Sequence, residues 1–259
     1  SGKRVFVRCD FNVPLDKNLA ISDDTRIRSV VPTLDQLHLA GARVILASHL
    51  GRPMGSQNPD LSLAPIAAHL SRLLGKNVHL APDCIGPEVA DLADDLEPGG
   101  FLLLENLRFH AGEEKNDEVF AKALGGVAQA YVNDAFGCSH RMHASVTGIV
   151  KHLSPAMAGL QLERELRTLE RLFKDPEEPV VAILGGAKIS DKLRVIESLM
   201  SQVDRILIGG AMAYTFWKAL GHPVGDSMVE DDMLETARGF LERSDAGRCE
   251  IILPMDCVV

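Results

Sequence analysis

Phe101-Leu102-Leu103-Leu104-Glu105-Asn106-Leu107-Arg108-Phe109-His110 is a short apolar run that passes directly into a loop carrying Arg and His. Four apolar residues in succession, without polar alternation, suit a strand buried on both faces, as in a parallel sheet. The same design occurs twice more. Residues 43–48 run into His49-Leu50-Gly51-Arg52-Pro53, and residues 130–133 run through Asp134 into Ala135-Phe136-Gly137-Cys138-Ser139-His140-Arg141. In parallel α/β sheets the carboxyl ends of the strands face the binding crevice. Three such loops aim their guanidinium groups at one region, and the planar fork of Arg matches phosphate and carboxylate oxygens two at a time. The pattern predicts a grip on a small, multiply charged anion.

Outward from these runs, residues 4–9 and 77–80 also read as strands, bounded by Gly, Pro or Asp. Between the first two strands Ile27, Val30, Val31, Leu34 and Leu37 recur at helical spacing, with Pro32 near the start and Gly41 just past the end. Ile66, Leu70, Leu73 and Leu74 repeat the pattern, opened by Ser62 and closed by Gly75. Strands alternating with helices predict a doubly wound α/β domain. After Ser154-Pro155 the character changes to a long amphipathic segment, with Leu162, Leu166, Leu169, Leu172 and Phe173 on one face. Glu163 precedes Arg167 by four, and Glu170 precedes Lys174 by four, both in the favourable helical order. Asp175-Pro176-Glu177-Glu178-Pro179 then breaks the helix, as at an interdomain connector. The alternation restarts with strands at 180–184, 205–208 and 250–253, and helices at about 191–200, about 212–220 and before 250. The expected fold is α/β, with two doubly wound parallel-sheet lobes joined by a helix, the second incomplete in this chain. The expected boundaries are 1–154 for the first lobe, 155–178 for the helix and break, and 179–259 for the partial second lobe. Three strands leave a bare sheet edge, which predicts a further piece of chain. The strand at 4–9 begins so early that a few preceding residues are expected as well.

A chain of 259 residues has ample core for one large or two ordinary domains. With 46% hydrophobic residues but no apolar run of bilayer-spanning length, no membrane association is expected. The net charge of −9 argues against a nucleic-acid partner. Against that acidic background, Arg gathered at strand ends is positive charge applied locally. The five cysteines (Cys9, Cys84, Cys138, Cys249, Cys257) are odd in number, scattered and without C-x-x-C spacing. They read as small buried thiols in a reducing compartment rather than as a disulfide framework or a structural zinc set. No secretory signal is visible, so cytoplasm is the default location.

Several loops hold chemistry beside a plainer explanation. Asp10-Phe11-Asn12-Val13-Pro14 places a carboxylate and an amide at a strand end, either to orient substrate hydroxyls or to form an Asx-type turn. Asp23-Asp24 fits the start of a helix, whereas Arg26 opposes the macrodipole there and is either solvated or functional. Gly185-Gly186-Ala187-Lys188-Ile189-Ser190-Asp191-Lys192 joins a strand to a helix and offers a close backbone approach, free N–H groups and two lysines. It lacks the spacing of the G-x-x-x-x-G-K-[ST] phosphate loop. Gly209-Gly210-Ala211-Met212 repeats the device, to flank a flat base or to make a tight turn. His140 and His143 lack a neighbouring carboxylate or thiolate set, so a polar loop is preferred to a metal site.

In combination these motifs are specific. The succession D-F-N-V-P, D-D-T-R-I-R, S-H-L-G-R-P, E-N-L-R-F-H-A-G-E-E-K-N, V-N-D-A-F-G, H-R-M-H-A-S and G-G-A-K-I-S-D-K resembles the phosphoglycerate kinase family along essentially the whole chain. The match covers the amino-terminal lobe and the first part of the carboxy-terminal lobe. The resemblance implies a bilobal, monomeric, cytoplasmic transferase of glycolysis, gluconeogenesis or carbon fixation. Such an enzyme moves a phosphoryl group between 1,3-bisphosphoglycerate with ADP and 3-phosphoglycerate with ATP, using Mg2+. By motif match, Asp10 and Asn12 hold the hydroxyl and carboxyl end of the phosphoglycerate. Arg52, Arg108 and Arg141, with His49, clamp its distant phosphate. Arg26 sits by the carboxylate and the moving phosphoryl group, and Lys188 and Lys192 meet the nucleotide phosphates and the transferring group. Gly186, Ala187, Gly210 and Ala211 line the adenine side, where Ala211 replaces a commoner Gly and tightens the base pocket.

The implied chemistry relies on positioning and charge stabilisation, with Arg26 and Lys188 as the catalytic pair and lobe closure about the connector as the gate. After Val259 the family continues through a ribose-binding glutamate and a glycine-rich loop with the magnesium-binding aspartate. This chain by itself is therefore expected to be catalytically incomplete and to contain no protein ligand for the metal. Two other readings compete. One is a non-catalytic phosphoglycerate-binding module. The other is a dinucleotide-dependent oxidoreductase, which the lack of G-x-G-x-x-G after an early strand disfavours.

Overall fold

The computed structural model describes residues 2–174 and 176–256. Asp175 of the charged break and Cys257 of the thiol set lie outside the described residues. The elements follow in the order β1 (Arg4–Cys9), α1 (Thr25–Leu39), β2 (Arg43–Ala47), α2 (Ala64–Leu74), β3 (Val78–Leu80), α3 (Pro87–Asp95), β4 (Phe101–Leu103), α4 (Ala111–Glu114), α5 (Glu118–Gly126), β5 (Ala130–Asp134), β6 (Ala156–Ala158) and α6 (Leu160–Lys174). Beyond them come β7 (Val181–Gly185), α7 (Leu193–Leu199), β8 (Arg205–Gly209), α8 (Met212–Ala219), α9 (Leu234–Ala246) and β9 (Glu250–Ile252). The chain divides into two compact units, Ser1–Arg167 and Thr168–Val259, with the division inside α6.

In the first unit six strands form one sheet in the order β3-β4-β2-β1-β5-β6, and every pairing is parallel. Alternate residues of β1, β2, β4 and β5 face opposite sides of the sheet, where two cores form, as the two-residue period of a strand requires. Val5, Val7 and Cys9 pack with Val44, Leu46 and Leu103 under Ile27, Leu34 and Leu70 of the helices. Phe6 packs with Ile45, Leu102 and Tyr131 under Val89, Phe120 and Leu124. Helices on both faces explain why the strands read as continuous apolar runs. The register pairs Cys9 with Asp134 and Leu46 with Leu103. The loops after β1, β2, β4 and β5 therefore leave the same end of the sheet.

Some local expectations change. Pro32 lies inside α1 rather than near its start, because the helix already begins at Thr25. Its missing N–H leaves one carbonyl of the preceding turn without its helical partner. Ser62 acts just ahead of α2, its Oγ accepting from Ala64 N at 3.1 Å, while Gly75 closes the helix at φ 61° as its left-handed conformation allows. Helices α3 and α5 are additional to the expected ones, with Pro87 at the first turn of α3 and the Asp117 cap on Phe120 N at 2.8 Å as ordinary start signals. The three-residue β6 carries no strand signal, since Ala156-Met157-Ala158 is short, exposed and without β-branching. It pairs with β5 before α6 begins. The start of α6 is fixed by Asp134 at the end of β5, whose Oδ1 accepts from Leu162 N at 3.0 Å. Gly159 is required there, because a Cβ would stand 2.3 Å from the Asp134 carboxylate.

The second unit is a three-stranded parallel sheet, β7-β8-β9. One core, with Ile196, Ile206, Ile208, Phe216, Ala237 and Phe240, packs under its helices. Helix α7 starts at Leu193, two residues later than the sequence suggests, because the turn before it has other partners.

Candidate functional site

In the first unit the site grows from the end of β1. Asn12 N donates to Asp10 Oδ1 at 3.3 Å, so the Asx-type turn is real. Both side chains also reach outward. Asn12 Oδ1 accepts from Gly51 N at 2.8 Å, joining this loop to the one after β2. Arg26 Nη1 donates to Asp10 Oδ1 and Oδ2 at 3.2 and 3.1 Å and to Asn12 O at 3.1 Å. The cation at the start of α1 is thus held by an acidic strand end, with half of its side chain still exposed.

Asn106 fastens the loop after β4 to the loop after β2. Its Oδ1 accepts from Leu50 N and Arg108 N at 3.3 and 3.1 Å, and its Nδ2 donates to Leu50 O and Leu61 O at 2.8 and 3.0 Å. Arg108 is consequently buried, with Nη1 donating to Gly51 O at 2.8 Å and Nε 3.1 Å from Glu114 Oε1. Burial pulls its pKa below the ordinary guanidinium value; Glu114 opposes this and the charge of Arg141 adds to it.

Behind these loops lies a buried arginine that the sequence did not single out. Arg8, 1% exposed, sits on β1 among apolar neighbours. Its Nε donates to Ser145 Oγ at 2.8 Å, its Nη1 to Cys9 O, and its Nη2 approaches His49 Nδ1 at 3.2 Å. Ser145 passes the contact to Glu113, fully buried, through Oγ to Oε1 at 2.6 Å and N to Oε2 at 2.9 Å. His143 stands 3.6 Å from the same carboxylate. Burial pushes Glu113 upward, but the bond from His143, the charge of Arg8 and the two Ser145 bonds outweigh it and hold the carboxyl below its usual range. Since guanidinium only donates, His49 Nδ1 accepts and its proton resides on Nε2. Burial first, then Arg8, Arg108, Arg141 and His143, lower the His49 pKa from 6.5 to about 2. His49 is therefore a neutral donor among guanidinium groups. A pattern search misses Arg8, Glu113 and Ser145 because each looks ordinary in its own segment.

Arg141 is half-buried, its Nε without a hydrogen-bond partner among the described residues, and its charge acts on both His49 and Arg108. Arg52 follows Gly51 and is exposed. His140 is exposed whereas His143 is buried against Glu113, so the two do not form a pair. The structure thus joins Asp10, Asn12 and Arg26 in one group and His49, Arg108 and Arg141 in another. Gly51 links them, contacting both Asn12 and Arg108.

In the second unit the two glycine loops leave the same ends of β7 and β8, where Gly185 pairs with Gly209. Gly210 has φ 69°, and a Cβ there would lie 2.8 Å from Gly186 O and 2.9 Å from Gly186 N. Met212 N donates to Gly186 O at 2.9 Å. The loops carrying Gly186, Ala187, Gly210 and Ala211 therefore pack on each other, with the Lys192 stem close to Gly186. The expectation of free N–H groups here is corrected in part. Glu230 Oε2 accepts from Ile189 N at 2.5 Å and Ser190 N at 3.2 Å, and its Oε1 accepts from Ser190 Oγ at 2.5 Å. Desolvation acts to raise the Glu230 pKa, but these bonds and the charge of Lys188 hold it low. Glu230, forty-one residues from Ile189, was invisible to a reading of the loop itself. Lys188 remains exposed beside this carboxylate.

The described residues offer two groupings of metal-type donors, Asp10 with His49 and Cys138, and Asp83 with Cys84 and His110. Neither is the all-oxygen set that Mg2+ prefers. Cys9, Cys84, Cys138 and Cys249 are free and buried. No helix among the described residues is long and apolar enough to cross a membrane.

The sequence model of a known family, described as phosphoglycerate kinase, matches residues 1–259. A phosphoglycerate kinase of Geobacter metallireducens is 54% identical over 257 residues, covering 99% of this chain and 65% of the relative. A cytosolic phosphoglycerate kinase of Nicotiana tabacum is 52% identical over 258 residues, covering 100% and 64%. Among solved structures, the phosphoglycerate kinase of Coxiella burnetii superposes with a TM-score of 0.85 at 37% identity, covering 98% of this chain and 63% of that one. The enzyme of Pyrococcus horikoshii OT3 superposes at 0.81 and 30% identity, covering 96% and 64%. The chain spans about 65% of the length of the curated relatives it matches.

Proposed function

We propose, since the chain belongs to the phosphoglycerate kinase family, that it supplies the phosphoglycerate site and part of the nucleotide site of a kinase acting on 3-phosphoglycerate and 1,3-bisphosphoglycerate. The observation that carries this reading is the convergence of Arg8, Arg108 and Arg141 on neutral His49. Positive charge concentrated around one uncharged donor, in a protein of net charge −9, supports an anion site at that place. His49 Nε2–H, Arg108 and Arg141, with exposed Arg52 as a fourth contact, would receive the distant phosphate. Asp10 and Asn12 would orient the hydroxyl, and Arg26 would face the reacting carboxylate.

In the second unit Lys188 and Lys192 would meet the nucleotide phosphates, and Gly186, Ala187, Gly210 and Ala211 would flank the base. Glu230 acts here as a positioning residue that holds the Lys188 turn in shape. In the forward direction the acyl phosphate P–O bond breaks, the carboxylate of 3-phosphoglycerate leaves, and a β-phosphate oxygen of ADP takes the phosphoryl group. Both oxygens are already ionised near neutral pH, so no general base is needed. Arg26 would bring positive charge to the reacting carboxylate, and Lys188 would bring it to the nucleotide phosphates. Magnesium would supply charge neutralisation on the nucleotide phosphates and arrive with them. A monomer in the cytoplasm belongs to the same reading, supported by the relative named as cytosolic and by the free thiols.

Calorimetric titration of 3-phosphoglycerate into this chain, at low and moderate salt, tests the reading. Saturable binding that weakens with salt is expected, with Arg141→Ala losing about 10- to 100-fold in affinity as one charged contact is removed. A folded chain that shows no binding, or an Arg141→Ala variant that binds 3-phosphoglycerate equally well, overturns it. Titration with Mg-ADP then tests the second unit alone, and a coupled turnover assay separates a kinase from a binding module.

A further inference from the structure

A second group of donors lies away from the anion crevice, where the loop after β3 meets the segment between Arg108 and α4. Asp83 Oδ1 and His110 Nε2 are 2.5 Å apart, and the Cys84 thiol donates to Glu105 O at 3.0 Å. One ligand atom from each of Asp83, Cys84 and His110 lies within 4.8 Å of the other two. The His110 ring is fixed by stacking on Phe120, with centroids 4.9 Å apart. Asp83 and His110 keep 36% and 28% of their side chains exposed, so an ion has a route in from solvent.

The electrostatic setting separates this group from the other donor set. Around Cys84 the acting charges are Asp83, Glu113 and Glu105, all anionic. Around His49, in the Asp10–His49–Cys138 set, they are Arg8, Arg108 and Arg141, and Asp10 is itself paired with Arg26. A dication is attracted to the first setting and repelled from the second. One thiol, one imidazole and one carboxylate form a mixed set that suits Zn2+ and similar borderline ions rather than Mg2+.

We propose that Asp83, Cys84 and His110 form a binding site for a zinc-class divalent cation, with water as the fourth ligand. With metal bonds of about 2.0–2.3 Å, a tetrahedral site needs donors roughly 3–4 Å apart, which small side-chain rotations supply. As the metal–sulfur bond forms, the Cys84 thiol releases its proton to solvent. The His110 proton moves to Nδ1, so that the Nε2 lone pair faces the ion instead of Asp83. The bound ion ties the loop after β3 to the segment that carries Arg108, and so steadies one wall of the anion crevice from outside.

Cobalt(II) titration of this chain, read by absorption, tests the site. A thiolate-to-cobalt charge-transfer band growing to one equivalent, absent in Cys84→Ser and retained in Cys138→Ser, is the expected result. Zinc affinity, measured against a chromophoric chelator, should fall at least about tenfold in His110→Gln and in Asp83→Asn. These two half-exposed positions decide the matter if Cys84→Ser does not fold. No band, a band that survives Cys84→Ser, or zinc affinity unchanged in both His110→Gln and Asp83→Asn overturns the proposal.

Discussion

The two units use the same alternation of strand and helix, yet they bury their strands differently. In the first, the residues of β1 and β2 after the opening arginine are all buried, with helices packed on both faces. In the second, β7 alternates between exposed and half-buried positions, with Val181 at 44% and Ile183 at 77% exposure. Residues 180–184 and 101–104 are equally apolar on the page. An apolar run therefore reports a capacity for burial, whereas actual burial depends on what packs against each face. The contrast extends to polar chemistry. The first unit keeps Arg8, Arg108 and Glu113 inside its walls, while the cations of the second stand at its surface.

The largest effect should come from breaking the buried charge network of the first unit. Arg8→Met strands Glu113 without its guanidinium and should cost about 3–5 kcal/mol. Urea unfolding followed by hydrogen exchange in β1 and β5 measures it, and a loss below about 1 kcal/mol would show that Ser145 and His143 suffice for Glu113. Next is Ile206→Ala in β8, fully buried, which should cost about 2–5 kcal/mol. Trp217, the chain's only tryptophan, lies in α8 and reports this transition without interference from the first unit.

A pH effect follows in size. The folded pKa of His49 is depressed to about 2 from 6.5, so the stability it contributes is fully present above pH 6.5 and is lost as pH falls toward 2. The unfolded chain gains a proton in that window and the folded chain does not, giving a slope of about 1.4 kcal/mol per pH unit near pH 5 from this group. His49→Gln should remove that slope from the first unit's stability profile, and an unchanged slope would assign it to other groups. The smallest effect belongs to Ile183→Ala, at 77% exposure, which should change the stability of this chain by less than about 0.5 kcal/mol. A cost comparable with Ile206→Ala would mean that the face of β7 is covered in solution, and the contrast between the units would fail.

Much of the fold was legible because strand and helix periodicities are local. The parallel runs at 4–9, 43–48, 101–104 and 130–133 reappear within a residue as β1, β2, β4 and β5. The weak edge strand β6 was not legible, since its only support is pairing with β5. At the site, Asp10, Asn12, His49, Arg108 and Arg141 could be named from loops that follow strands, and Arg26 from its unfavourable place at the start of α1. Arg8 could not, because a charged residue within a strand carries no mark of the partners that neutralise it.

The sequence by itself determined the α/β alternation, the crowding of arginine at strand ends and the family, because each is written in short segments read in order. Only the tertiary structure decided that Arg8 keeps company with Ser145 and His49, that Glu230 caps the Lys188 turn, and that Cys84 meets His110. Those partners lie 26 to 137 positions apart in the chain, and sequence patterns encode neighbours along the chain rather than across a packed sheet. The charge state of a buried group follows from which partners packing places around it, and in this protein packing makes His49 neutral and keeps Glu113 ionised.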